Sequence, residues 1–371
     1  MTSRRGSAFM LFLIIYFITF FLVISLIVFP LLNHLLYDHG FVTAEVISSP
    51  WFLIFQQIMT LLVPLGIWLL IHKEKLSVHL PNMKLGSVNI LIIVFLSIFI
   101  QPAMMLISGI SGLFFPNEIA GLVGGMAVHP YWLLLLAVAV TPAICEEIVF
   151  RGYLQSAYSD RPFKKAALLN GLFFAIIHLN AQQFLYAFAM GVIFAYVVHY
   201  TRSIRAGILS HFIINGSQVS LMRLASWLEG FALEIGELAG VDTTEIATQA
   251  EMIAYTGVTF EMQIQAIASI GIIALFTTPC AAIIFRTFIS HNRQRNMQYD
   301  MRQLFGKKSV ETETADNETV SEIQIPEIEV PATALSDDTP PFTPYRPRPK
   351  YDPFAIAVVV IFIVFLLLFQ T

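Results

Sequence analysis

Long, uninterrupted apolar runs recur along the whole chain, and they limit its fold more than any other feature. Hydrophobic residues make up 57% of the 371 positions, and charged residues only 12%. A helix that crosses a bilayer needs about 20 mostly apolar residues, because its length must match the hydrocarbon core. The sequence therefore predicts an all-α, polytopic transmembrane bundle of about eight core helices plus a C-terminal hydrophobic helix.

The positions of the positive charges predict how this bundle is oriented. The predicted spans are residues 9–32, 51–72, 88–114, 131–150, 166–180, 182–200, 206–224 and 263–286, with a terminal span at 354–369. Lys and Arg near the ends of spans stay in the cytoplasm. With a cytoplasmic N-terminus, every Lys and Arg except Arg223 falls on the cytoplasmic side. We therefore expect a multi-pass membrane protein with its N-terminus in the cytoplasm.

Composition divides the chain into three regions. Residues 1–290 form the predicted bundle, which includes an external acidic segment at 229–261 that we expect to lie as an amphipathic helix on the bilayer or over the bundle. Residues 291–352 begin basic, turn acidic and end rich in proline, so we predict a disordered cytoplasmic linker. Residues 353–371 form the predicted C-terminal transmembrane helix, whose role the sequence does not indicate.

Two adjacent glutamates in the fourth predicted span are the strongest functional signal. A charged residue at the centre of a spanning helix costs about 2.5 to 3.5 kcal/mol, so Glu146 and Glu147 indicate a function. Residues four apart share a helical face, whereas neighbours diverge by about 100°. Glu147 is therefore expected to pair with Arg151, which leaves Glu146 less compensated and available for proton transfer. A purely structural role in tying helices together is the alternative.

Two further polar clusters lie on later spans. Phe174 and His178 share one predicted helical face, and His211 and Asn215 share another. A lone histidine on an apolar helix is more often a hydrogen-bonded core residue than a catalyst. The estimated depths of these groups allow them to meet Glu146 and Glu147 inside the bundle.

Carboxylates, imidazoles and an amide in a dry pocket suit peptide hydrolysis. One group can activate water, and neutral donors can hold the oxyanion that forms on the carbonyl. The spacing also leaves open a zinc site made by His178, His211 and one glutamate. The sequence contains neither a Gly-x-Ser-x-Gly elbow nor a His-Glu-x-x-His helix.

These three motifs, in this order on successive apolar helices, resemble those of the CPBP family. That family comprises the type II CAAX prenyl endopeptidases and bacterial bacteriocin-processing or self-immunity proteins, and the resemblance covers about residues 131–217. It implies an intramembrane endopeptidase in which Glu146 and His178 activate water, while His211 and Asn215 form the oxyanion hole. Glu147, Arg151 and Phe174 would be supporting residues, and no catalytic metal is expected.

The expected partners follow from this interpretation. They are the lipid bilayer and a membrane-associated peptide or protein substrate, which need not be prenylated, and no nucleic acid. We expect the location to be a bacterial cell membrane. The alternatives are a non-enzymatic scaffold or immunity protein, a transporter that uses the buried acids for protons or cations, and a zinc-dependent version of the same protease.

Overall fold

The computed structural model describes residues 3–36, 49–116, 126–239, 259–313 and 352–369, and these residues form nine long helices. The helices are α1 (3–36), α2 (Pro50–His72), α3 (Ser87–Gly112), α4 (Tyr131–Ala157), α5 (Phe163–Ile176), α6 (Ala181–Thr201), α7 (Ile204–Leu238), α8 (Phe260–Glu313) and α9 (Pro353–Phe369). Six of them, α1, α2, α3, α4, α6 and α8, are long and apolar enough to cross a membrane. The predicted all-α polytopic bundle is confirmed.

Helix α4 lies at the centre of the bundle. In its most apolar stretch 67% of the residues are buried, whereas the corresponding value is 11% in α1 and in α8. Its large side chains Phe150, Tyr153 and Leu154 are fully buried in the main hydrophobic core. Polar groups on α4 are therefore surrounded by protein, which can compensate a charge that lipid could not.

Helix α4 is interrupted by two π-helical segments, Leu136–Val140 and Ile148–Leu154. The α-helical segment Thr141–Glu147 lies between them and has Pro142 as its second residue. Because proline has no backbone N–H, the carbonyl of Val138 lacks the donor that an α-helix would supply four residues later. Single-turn π segments are frequently found at functional sites.

Helices α5 and α6 form a closely packed hairpin whose turn lies inside the protein. A Cβ atom on Gly191 would come within 2.7 Å of the Cα atom of Gly171, so the two backbones are in contact where the helices cross. Leu179 in the turn is 9% exposed and has a left-handed backbone with a φ of 47°. Asn180 caps α6 by accepting a hydrogen bond from the backbone N–H of Gln183 at 3.0 Å.

The end of α5 differs from the predicted span 166–180. The helix stops at Ile176 and has 14 residues, so it is about 21 Å long and shorter than the hydrocarbon core. His178 therefore lies in the turn after α5, not on a spanning helix. The left-handed residue and the cap of α6 reverse the chain here, although the sequence has neither Gly nor Pro at this turn.

Helices α8 and α7 both extend beyond the segment boundaries predicted from the sequence. Helix α8 continues to Glu313, so the beginning of the predicted linker 291–352 is helical, and residues 314–351 lie outside the described part of the chain. Arg295 and Asn296 hold α8 in place by donating to the carbonyls of Thr201 and Tyr200. The start of the predicted external segment 229–261 is likewise a continuation of α7 as far as Leu238, and residues 240–258 are not described.

The C-terminal helix α9 packs beside α1 as part of the bundle. Asp352, just before its first residue, accepts a hydrogen bond from the Ser7 hydroxyl at 2.7 Å and lies 3.7 Å from Arg161. Farther along, the rings of Phe362 and Phe184 stack with centroids 5.1 Å apart. Val358 is fully buried, so α9 contributes to the main core.

Candidate active site

Glu147 and Arg151 form a fully buried ion pair within α4. The Glu147 Oε1 and Arg151 Nη1 atoms are 2.9 Å apart, and both side chains have no exposed area. The predicted pairing of positions four apart is thus confirmed, even though Arg151 lies in a π-helical segment. The Nη1 atom makes no hydrogen bond of good geometry, so the contact is mainly electrostatic.

The other side of the Arg151 guanidinium is held by α5 and α6. Its Nη2 atom donates a hydrogen bond to the carbonyl of Gly191 at 3.2 Å. Its central carbon lies 4.3 Å from the ring centroid of Phe174 and 5.0 Å from that of Phe194. Aromatic faces attract a desolvated guanidinium by cation–π interaction. Phe174 therefore covers the buried cation, and its supporting role in the site stays a prediction.

His211 on α7 bridges the two glutamates. Its Nδ1 atom lies 3.1 Å from Glu147 Oε1 and its Nε2 atom 3.8 Å from Glu146 Oε2. A carboxylate oxygen can only accept, so Nδ1 is the donor to Glu147. With Nδ1 protonated, Nε2 accepts a hydrogen bond when the ring is neutral and donates one when the ring is charged. The ring also stacks against Phe194, with centroids 5.1 Å apart.

Helix α7 can approach Glu147 this closely because position 207 is glycine. A Cβ atom there would overlap Glu147 Oε2 and would come within 2.7 Å of a Val198 methyl group. Gly207 lies four residues before His211, on the same face of α7. The absence of a side chain at this position therefore sets the distance between His211 and the carboxylates.

Glu146 has far weaker partners than its neighbour. Its Oε1 atom accepts a long hydrogen bond of 3.4 Å from the Gln57 side chain of α2. Its Oε2 atom accepts no hydrogen bond from the described residues, although Glu146 is only 7% exposed. Glu147 Oε2 likewise accepts no hydrogen bond from the described residues, so what distinguishes Glu146 is that it lacks an ion pair with Arg151. Gln57 was missed by the sequence reading, although an amide within an apolar span is itself a signal of function.

His178 is near this cluster but forms neither a hydrogen bond nor an ion pair with either glutamate. Its Nδ1 atom lies 2.7 Å from the carbonyl of Phe174 and must be the donor, because a carbonyl can only accept. The Phe174 ring lies between the two histidines, 5.1 Å from His178 and 6.0 Å from His211 by centroid distance. In the neutral ring, Nε2 of His178 is left as an acceptor, which suits a proton-accepting group.

Asn215 lies one turn beyond His211 and is oriented by α4. Its side-chain Nδ2 donates a hydrogen bond to the Val138 carbonyl at 3.1 Å. This is the carbonyl that Pro142 leaves without its α-helical donor, so the π segment and the proline create the acceptor that positions Asn215. An amide nitrogen carries two N–H bonds, and the second one is available to another acceptor.

Residues 128–217 match the model of a protein family described as Type II CAAX prenyl endopeptidase Rce1-like. The match covers about a quarter of the chain and supports the CPBP/CAAX protease family. The matched segment contains α4, α5, α6 and the first part of α7, and so includes every candidate site residue predicted from the sequence. A comparison with curated proteins found no significant match, and neither did a comparison with solved structures.

The zinc site considered from the sequence can be compared with the geometry of the described residues. No three His, Cys, Asp or Glu side chains within the described ranges lie close enough together to hold a metal ion. The zinc set considered from the sequence needs His178, His211 and one glutamate. The structure brings only His211 close to the carboxylates, and Nδ1 of His178 faces a backbone carbonyl instead.

The family match supports a protease in general terms, and it does not assign roles to individual residues. The structure places Glu146, Glu147, Arg151 and His211 in one chain of contacts. His178 and Asn215 lie at the edges of this chain and are held by backbone carbonyls. The predicted catalytic roles remain predictions.

Proposed function

We propose that this protein is an intramembrane endopeptidase that hydrolyses a peptide bond in a membrane-associated protein or peptide. The observation that carries this proposal is the unequal environment of the two glutamates. Glu147 lies 2.9 Å from Arg151 and 3.1 Å from His211, whereas among the described residues the buried Glu146 approaches only Gln57 at 3.4 Å and His211 at 3.8 Å. A buried carboxylate with spare acceptor capacity, next to an imidazole, suits a general base.

In the proposed reaction, Glu146 takes a proton from water, and His178 helps to orient that water through Nε2. The water oxygen then forms a bond to the carbonyl carbon of the substrate, and the carbonyl oxygen becomes an oxyanion. His211 through Nε2 and Asn215 through its second N–H donate to this oxyanion. When the C–N bond breaks, the proton on Glu146 passes to the amine that leaves.

Glu147 and Arg151 act in this scheme through His211. Because Glu147 accepts from Nδ1, the ring is held with Nε2 toward Glu146 and the reaction centre. Nε2 donates to the oxyanion when both ring nitrogens carry a proton. We propose no resident metal, since water activation is assigned to a carboxylate.

The substrate class rests on the location of the site. Counted along the helices, Glu147 lies ten residues from the end of α4 at Ala157, and His211 seven residues from the start of α7 at Ile204. These distances correspond to about 15 Å and 10 Å of helix. A substrate bond must therefore enter the bundle, which suits a membrane-anchored chain. The matched family is described by its action on CAAX prenyl substrates, so a prenylated peptide belongs among the candidates.

The test compares wild type with Glu146→Gln in proteoliposomes. A library of membrane-anchored peptides, with and without a prenylated cysteine near the C-terminus, is incubated with each protein and analysed by mass spectrometry. Because a general base contributes about 10² to 10⁴ in rate, we expect cleavage by the variant to fall at least about 100-fold. Glu234→Gln, an exposed position on α7, is the matched control and should cleave like wild type.

Three outcomes would change the proposal. Wild-type rates in Glu146→Gln would rule out Glu146 as the base. No cleavage of any peptide by wild type would favour a non-enzymatic scaffold or immunity protein. Loss of activity with a chelator and its recovery with zinc would favour the metal-dependent version of the same protease.

A further inference from the structure

A second polar site lies away from the glutamates, where the loop before α3 meets α8. A cavity of about 680 Å³ is present here. It is lined by Asn82, Met83, Lys84, Gly86, Arg295 and Tyr299. None of these residues takes part in the proposed peptide hydrolysis, so the cavity requires a separate explanation.

The loop wall of the cavity is fixed by the connection between α6 and α7. The N–H of Met83 donates to the carbonyl of Arg202 at 2.9 Å, and the N–H of Ile204 donates to the carbonyl of Pro81 at 2.7 Å. The Arg205 guanidinium donates to the Asn82 side chain at 3.1 Å. Three hydrogen bonds over a short stretch hold Lys84 and its neighbours in position.

The α8 wall is held at least as firmly. Asn292 on α8 and Asn89 on α3 exchange two side-chain hydrogen bonds of 2.8 and 3.1 Å, and Asn292 has no exposed area. One turn farther along, Arg295 donates from Nη2 to the carbonyl of Thr201 at 2.7 Å. The cavity is therefore built between elements that are joined on both sides.

The charges that face the cavity are not balanced. Lys84 is exposed and forms no ion pair with the described residues, and Arg295 donates to a backbone carbonyl. The Nε atom of Arg295 is buried and has no hydrogen-bond partner among the described residues. Asp300, five residues after Arg295 on α8, is already paired with Arg202 through contacts of 2.7 and 2.8 Å. Two cations thus remain for an anion.

Backbone N–H groups at the start of α3 add to the positive electrostatic potential of the cavity. Gly86 lines the cavity and is also the N-cap of α3, where no side chain caps the helix. The first N–H groups of a helix have no partner within it, and the helix dipole is positive at that end. This combination commonly binds phosphate groups.

The location indicates where such an anion would come from. The membrane span Ser87–Gly112 begins at the next residue after Gly86, and the span Ala181–Thr201 ends one residue before Arg202. The cavity is therefore at the depth where a spanning helix meets the headgroups, and Tyr299 is of the residue type enriched there. The volume would hold a headgroup.

We propose that this cavity binds a phosphate group, with Lys84 and Arg295 as its charged ligands. The headgroup of an anionic phospholipid in the adjoining leaflet and a soluble phosphate ester share this chemistry. The binding neutralises the two unpaired cations and supplies an acceptor for the free Nε–H of Arg295. Bidentate acceptance from a guanidinium is the geometry that phosphate favours.

The test uses the full-length protein in detergent and measures lipid binding by native mass spectrometry. Dissociation constants are compared for phosphatidylglycerol and for diacylglycerol, which lacks the phosphate, and separately for glycerol 3-phosphate. We expect phosphatidylglycerol to bind and diacylglycerol to bind at least about tenfold more weakly, because charge-assisted hydrogen bonds are lost. Binding of glycerol 3-phosphate as tight as that of the lipid would identify a soluble ester as the ligand.

Substitutions distinguish lipid binding in this cavity from attraction to the general positive charge of the bundle. Lys84→Gln and Arg295→Gln together should weaken phosphatidylglycerol binding about tenfold or more. Arg286→Gln is the matched control, because it removes an exposed charge from the same helix outside the cavity. Equal binding by wild type and the double variant would overturn the proposal. If the double variant does not fold, the exposed Lys84→Gln alone must still weaken binding more than Arg286→Gln.

Discussion

The surroundings of Glu147 and Glu146 differ sharply, although the two residues are adjacent. Glu147 is completely buried and touches both Arg151 and His211 at about hydrogen-bond distance. Glu146 meets Gln57 at 3.4 Å and His211 only at 3.8 Å. Neighbouring positions on a helix point in different directions. One turn can therefore place Glu147 beside a cation and leave Glu146 without one.

The free-energy cost of burying the charge therefore differs between the two carboxylates. The interior charge of Glu147 is acceptable because Arg151 opposes it, and Phe174 and Phe194 cover the guanidinium. Glu146 lacks a cation of its own, so its environment resembles that of a group kept for reaction and not for stability. Substitutions that affect one residue and not the other can test this division.

The largest expected effect is loss of stability in Glu147→Gln. Removing one partner of a buried pair leaves Arg151 uncompensated, which costs about 3–5 kcal/mol. We expect a large drop in the melting temperature measured in detergent by size-exclusion chromatography after heating. Adding Arg151→Met should recover much of the loss, because the unpaired cation is then also removed.

Glu146→Gln is the control for this comparison, since Glu146 has no ion pair with Arg151. Its melting temperature should stay close to that of wild type. If both glutamine variants lost the same stability, the proposed division between a structural and a reactive carboxylate would be wrong.

A smaller effect is expected from Gly207→Ala. The added Cβ would overlap Glu147 Oε2 and crowd Val198, so α7 must move away from α4. Overpacking of this kind costs about 1–3 kcal/mol. It should also reduce cleavage, because His211 on the same helix moves with the backbone. The measurements are the melting temperature and the rate of peptide cleavage.

Gly216→Ala provides the matched control on the same helix. A Cβ atom there would meet its nearest neighbours, Ala139, Leu135 and Phe212, at ordinary contact distances of 3.7 to 3.8 Å. We expect nearly wild-type stability and cleavage. Similar losses in both alanine variants would mean that helix α7 tolerates no added side chain, and that the contact with Glu147 is not special.

The contacts that were predictable from the sequence are those within one helix. The Glu147–Arg151 pair follows from a spacing of four, and it forms even across the start of a π segment. Contacts between helices were not predictable in this way. The approach of His211 to Glu147 joins residues 64 positions apart and depends on the missing side chain at Gly207.

The end of α5 shows why some boundaries were missed. A continuous apolar pattern predicted a span to residue 180, but the chain turns after Ile176 through Leu179, a residue type that rarely adopts a left-handed backbone. The sequence signal for a new helix start was Asn180, because Asn is a preferred N-cap residue. Its side chain accepts from the backbone N–H of Gln183. The π segments of α4 had no comparable signal, apart from Pro142.

The smallest expected effect concerns Gln57, which touches Glu146 and not Glu147. In Gln57→Leu the long hydrogen bond to Oε1 is lost, and the loss should reduce kcat/KM by about threefold to tenfold, as expected for about 0.5–1.5 kcal/mol. Gln56→Leu, one residue earlier on α2, is the control and should cleave like wild type. Because Gln57 contacts the carboxylate that we assign to chemistry, the melting temperature should not change along with the rate. Equal rates in the two leucine variants would show that Gln57 does not support Glu146, and a matched fall in melting temperature and rate would indicate that its role is structural.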